Sequence, residues 1–346
     1  MRLKKEGFRI YEYILFAGAA LYVFALCVCA GSVNIPVKDT VTLIWNSVFG
    51  IPLPQSVGSP AIILSVRLPR VICVALTGAA LSLCGGAMQG LLRNPLADGY
   101  TLGVSSGASL GAAVAIAFGV TIPSVPFAGT MTLATLFAFA SLVLILSLAY
   151  KLDRSLSTNT IILLGVIYSM FVSGLLSLII TFASDKVKQI TFWTMGSLSG
   201  SGYEDAFVLL IALAVFGSVI ILHARELNAF AVGEDNARHI GVNVKRVKLV
   251  ILISVSVLIG VCVSVGGAIG FVGLVTPHMT RMITGPNHKR LLPASLFGGA
   301  TFLMLADLAA RILLDPLELP IGVISSLVGA VLFVYIFYAS RRKSHA

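Results

Sequence analysis

Apolar residues run along this chain in blocks too continuous for a half-buried strand or for one face of a soluble helix. Ile14–Ala30, Thr132–Tyr150, Ala206–Leu222 and Leu249–Val265 are examples. Each approaches the roughly 20 residues that a helix needs to cross a bilayer core of about 30 Å. Ten segments read as spanning helices, near 12–33, 71–92, 100–120, 130–150, 159–183, 205–223, 246–266, 272–284, 291–313 and 321–340. The pattern predicts an all-α, polytopic integral membrane protein, one membrane domain over residues 1–346. Polar and charged positions gather in the connectors, and the longest charged connector is 223–248.

Composition supports this reading. Charged residues make up 11% and mean hydropathy is +1.00, whereas soluble domains carry about 25% charged residues. The net charge of +10 would suggest a nucleic-acid partner for a soluble protein, but here its distribution decides. With the N-terminus inside, the inner segments collect 18 of the 24 basic residues, among them Arg2, Lys4, Lys5, Arg9, Arg341, Arg342 and Lys343. The positive-inside rule then predicts cytoplasmic N- and C-termini, with lipid as the surrounding partner and no nucleic acid. The basic N-terminus before an apolar run also fits a signal peptide, but the run is long for one, and a retained first span is expected. The five cysteines lie in apolar stretches without CxxC spacing and read as packing residues.

Glycines recur every fourth residue at Gly103, Gly107 and Gly111, at Gly86 and Gly90, and at Gly266 and Gly270. That spacing places them on one helix face, where a neighbouring backbone can approach within the subunit. Ser82–Pro95 (SLCGGAMQGLLRNP) and Ser264–Pro277 (SVGGAIGFVGLVTP) form a weak internal repeat. Five spans separate the copies, so the halves would be inverted across the membrane, a transporter arrangement.

Two regions carry candidate function. In 223–248, Asn228 is expected to cap a short helix from Ala229, Gly233 to interrupt it, and a second short helix to run from Glu234 and Asp235 to Gly241. A solvated connector and a docking knob are both open readings at this point. At the other face, Arg67 and Arg70 flank Leu68-Pro69 just ahead of the second span, and Arg311 ends the ninth. Their guanidiniums are placed at one water interface, where they could meet carboxylates of an incoming protein. Asp307, four residues before Arg311, offers a local ion pair instead.

Few ionisable groups fall inside the spans, which weighs against the alternative of an ion-coupled secondary transporter. The chain lacks GxxxxGK[ST], so no P-loop for nucleotide phosphates is expected in it. Nor does it show a convergent catalytic set, and a transport subunit rather than an enzyme is expected. His278 has no second metal-ligand residue at suitable spacing and reads as structural.

RLPR at 67–70, GAALSLCGGAMQGLLRNPLADGYTLGVSSGASLG at 78–111, GGAIGFVGLVTPHMTR at 266–281, LLPAS at 291–295, ADLAAR at 306–311 and ELPIGV at 318–323 together resemble the FecCD-like permeases that import ferric siderophores, haem and cobalamin. The resemblance implies a type II ABC importer of the bacterial inner membrane. Its expected partners are a second, identical permease subunit, two cytoplasmic ATPase subunits that hold the ATP and Mg²⁺, and an extracytoplasmic binding protein. No cofactor is expected on this chain. The resemblance implies that Leu227, Asn228, Ala229, Phe230, Ala231, Val232, Gly233, Glu234, Asp235, Ala237, Arg238, Ile240 and Gly241 are coupling helices resting on the ATPases. It further implies that Arg67, Arg70 and Arg311 dock the binding protein and that Ser157 and Thr158 belong to the cytoplasmic gate. One local departure is Gly99, where relatives often carry proline.

Overall fold

The computed structural model describes residues 7–31, 35–51, 60–121, 128–154 and 156–344; Arg2, Lys4 and Lys5 lie outside the described residues. The chain runs through α1 (Ile10–Cys29), α2 (Val37–Phe49), a π-helical turn (Ile62–Arg67) continuing into α3 (Leu68–Leu91), α4 (Val104–Ala117), α5 (Ala128–Leu152) and α6 (Thr158–Phe182). Then follow α7 (Val187–Thr194), α8 (Tyr203–Ala212) and α9 (Ser218–Leu222), the last two joined by a π-helical segment into one rod. The remainder is α10 (Ala224–Val232), α11 (Glu234–His239), α12 (Val244–Gly266), α13 (Val272–Thr284), α14 (His288–Ile312) and α15 (Ile321–Ser344).

Among the described residues, seven helices are long and apolar enough to cross a membrane, and Val104–Ala117 and Ile321–Ile336 are shorter apolar helices. With α13, they account for the ten spans expected. α4 is shorter than 100–120 because Gly103 and Gly119, both at positive φ, bracket it with turns. The second span starts earlier than 71, so Arg67 and Arg70 lie within the helix rather than ahead of it. Pro69 is accommodated near the start of α3, just past the π-helical turn, where a missing N–H costs little.

α3 is the axis of the bundle. Its most apolar stretch is 83% buried, against 17% for α6, so α6 presents most of its surface to lipid or to another chain. Glycine makes the close packing around α3 feasible. A Cβ on Gly78 would run into the Gly299 carbonyl of α14, and one on Gly85 into the Gly273 carbonyl of α13. On α4, Gly107 meets Ser141 and Phe137 of α5, and Gly111 meets Leu133. The fourfold spacing therefore marks seams within this chain.

The two repeat copies differ locally. Residues 82–91 are continuous helix, whereas α12 ends at Gly266 and residues 267–271 are non-helical. That break is held by protein: Ser197 N–H donates to Gly266 O (2.8 Å) and Ser325 Oγ to Gly270 O (3.1 Å), as irregular backbone at membrane depth requires. The copies also pack on one another, with Thr276 Oγ1 2.6 Å from Ser82 Oγ.

α2 has no counterpart among the expected segments. Val37, Val41, Trp45 and Phe49 are all exposed at i, i+4 spacing, a stripe suited to lying in a membrane interface.

Candidate functional site

Charged and polar side chains gather at two opposite ends of the bundle. At the first end, Arg70 Nε donates to Asp307 Oδ1 (3.0 Å) and its Nη1 to Glu318 Oε2 (2.8 Å). Arg311 Nε stands 2.9 Å from Asp307 Oδ2, an ion pair without hydrogen-bond alignment. The same guanidinium donates to the carbonyls of Ala30 and Cys27, both at 3.0 Å, and Arg67 donates to Cys29 O at 3.2 Å. Two arginines thus serve the last carbonyls of α1, the end of a helix that attracts positive charge.

This corrects the expectation of guanidiniums waiting at a water interface. Arg67, Arg70 and Arg311 are 5%, 6% and 3% exposed and hold α1, α3 and α14 together. The sequence reading placed them without the carbonyls of α1 and without Glu318, which folds in from the α14–α15 connection. The local Asp307–Arg311 pair is present as expected.

At the second end, α10 and α11 form the knob. α10 begins at Ala224, not Ala229, because Ala224 and Leu227 bury one face of an additional turn. Asn228 therefore lies inside the helix and does not cap it. Its Oδ1 instead accepts from His288 N–H (2.8 Å), its Nδ2 donates to Asn287 Oδ1 (2.9 Å), and His288 in turn packs against Gly90 of α3. Leu227, Phe230 and Ala237 are fully buried, while Val232 and Ile240 are 69% and 72% exposed. Ala231, Asp235, Arg238 and Gly241 also face outward, and Ala229 is half-buried. Gly233 joins the two helices at φ 136°, ψ 149°, a conformation that side-chain-bearing residues rarely adopt.

Ser157 is the N-cap of α6. Its Oγ is 2.9 Å from Thr160 Oγ1, and its N–H donates to Asp153 Oδ2 at 3.0 Å; Thr158 is the first helical residue. The preceding Leu156 is buried at φ 54°. Lys248 of α12 lies between this loop and the knob. Fully buried, it places Nζ 2.9 Å from Leu156 O and 2.7 Å from Glu234 Oε1. Arg290 at the start of α14 pairs with Glu12 at the start of α1, so the first turn of α1 lies at this end.

The fold is a bundle of membrane helices with a broken helix in its interior and a half-exposed knob at one end. The sequence profile of the FecCD transport family matches residues 19–339, and this chain belongs to that family. It is 41% identical to the ABC transporter permease protein YvrB of Bacillus subtilis, covering 99% of this chain and 97% of that one. It is 35% identical to the cobalamin import permease BtuC of Halobacterium salinarum (92% and 84% covered). Identity to the molybdate import permease MolB of Haemophilus influenzae is 32% (96% and 97% covered). The fold is similar to that of a transporter described as of the metal-chelate ABC type, solved in an inward-facing conformation, with a TM-score of 0.83 at 30% identity over 96% of this chain and all of that one.

Proposed function

We propose that this chain is the membrane subunit of a type II ABC importer. Two identical copies would form the pathway, two ATPases binding ATP and Mg²⁺ would attach to α10–α11, and an extracytoplasmic protein would deliver the cargo. Nucleotide would bind to the ATPases rather than to this chain. The knob end faces the cytoplasm in this reading, with both termini, and the arginine end faces outward from the inner membrane. Transport proceeds by alternating access, with Ser157 and Thr158 at the inner gate.

The observation that carries the reading is the knob's surface. Val232 and Ile240 project from a short charged loop into water, although apolar contacts with the bundle are already supplied by Leu227, Phe230 and Ala237. Exposed apolar side chains rimmed by charge mark a protein interface. Val232→Asp and Ile240→Asp are expected to abolish co-purification of the ATPase with this chain while its elution from a sizing column is unchanged. Normal ATPase retention in both variants would refute the knob as the attachment site.

For cargo, the reading is a metal-bearing chelate. Ferric siderophore is first, and haem and cobalamin follow; the molybdate importer among the relatives adds a fourth class to be compared. Docking at the outer end requires partner exchange, because Arg70 and Arg311 already have carboxylates. Glu318, on a half-exposed side chain, is the one that a carboxylate of the binding protein would replace.

A further inference from the structure

The knob is attached to the bundle at two different places. α10 is tied through Asn228 to the start of α14, which packs on α3. α11 is tied through Glu234 to Lys248, and Lys248 reaches across to the carbonyl of Leu156 in the α5–α6 connection. Between the two attachments stands Gly233, the residue best able to change backbone conformation.

We propose that Lys248 is a positioning residue that couples α11 to the start of α6: the Glu234–Lys248–Leu156 contact passes displacement of the knob to the gate. This deepens the importer reading and rests on it. A fully buried ammonium cannot be left behind by its partners. Withdrawing Glu234 while Lys248 stays buried would strand a charge in the apolar interior. Glu234, Lys248 and the Leu156 carbonyl therefore shift as a unit.

From Leu156 the connection to α6 is short. Leu156 N–H donates to Asp153 O (3.0 Å), and Asp153 Oδ2 accepts from Ser157 N–H, the cap of α6. A second strap lies beside it, with Lys245 Nζ 4.3 Å from the centre of the Tyr150 ring. The N-terminal turn of α12 thus holds the α5–α6 connection from one side and α11 from the other. Because α10 is anchored to the bundle's axis, an ATPase pulling on the knob would swing α11 about Gly233 and carry the first turn of α6 with it.

The test uses the complex isolated from native membranes through a tag on this chain, with Asn159→Cys as reporter. Asn159 is exposed in the first turn of α6, while four of the five native cysteines are buried. The maleimide labelling rate of the reporter is compared without nucleotide and with ATP plus vanadate. In the parent the rate changes with nucleotide. Lys248→Met is expected to keep the ATPase bound and hydrolysing ATP while the labelling rate no longer responds. An unchanged response in Lys248→Met overturns the proposal. If that variant fails to assemble, Glu234→Gln replaces it, since it keeps the Lys248–Leu156 hydrogen bond and removes only the Glu234 charge that faces Lys248. A diminished response then supports the link, and a parent-like response overturns it. If the parent itself co-purifies with no ATPase, the importer reading fails, and the proposal with it.

Discussion

Asp307 has a guanidinium on each of its oxygens, Arg70 on Oδ1 and Arg311 on Oδ2. At 1% exposure, its removal leaves two buried cations with one half-exposed carboxylate, Glu318, between them. Asp307→Ala is therefore expected to cost about 3–5 kcal/mol, read as a lower thermal midpoint of the detergent-solubilised protein; an unshifted midpoint would contradict the structural role. Glu318→Gln separates structure from docking. It frees Arg70 for a carboxylate from outside, so the binding protein should hold more tightly with little change in midpoint, and unchanged affinity would remove the exchange idea. At this scale the sequence disclosed what is local. Asp307–Arg311 follows from i, i+4 spacing, but Arg70 with Glu318 and Lys248 with Leu156 lie 248 and 92 residues apart, and no single-chain pattern pairs them.

The membrane helices were legible because apolar runs of bilayer length have few alternatives in water or lipid. The ends of helices were less so. Asn228 suits an N-cap, yet burial of Leu227 prolongs α10 toward its N-terminus and turns that side chain to Asn287 and His288. α2 escaped because it is short and Lys38, Asp39, Thr40, Thr42, Asn46 and Ser47 interrupt its apolar positions. The glycine seams were readable as a spacing but not as partners: Gly85 meets Gly273 and Gly78 meets Gly299 only once α3, α13 and α14 cross. Gly85→Ala is expected to force α3 and α13 apart and destabilise the protein by about 1–3 kcal/mol. Gly18→Ala, with nothing within 4 Å, is the control and should leave the midpoint in place or raise it slightly. Equal effects of the two substitutions would show that the seam is not tightly packed.

Over the whole molecule, the two charged ends have different tasks. The arginine end is closed upon itself and joins three helices; the knob end leaves apolar side chains uncovered above a buried lysine that reaches the α5–α6 connection. In the importer reading, the knob end is the attachment for an external motor. The chain belongs to the FecCD family and shares its fold with a metal-chelate type transporter. Composition alone pointed to a membrane pathway, whereas the path from α11 to α6 needed coordinates, because it joins three segments that are separate in sequence.

Uptake into proteoliposomes shows directly whether transport is driven by ATP through partners. Vesicles carrying the complex isolated with this chain are given binding protein outside, ATP inside, and labelled ferric siderophore, haem, cobalamin or molybdate in turn. The account predicts accumulation of one of the metal chelates only when ATP, the ATPase and the binding protein are all present. Accumulation by this chain alone under a proton or sodium gradient would contradict it.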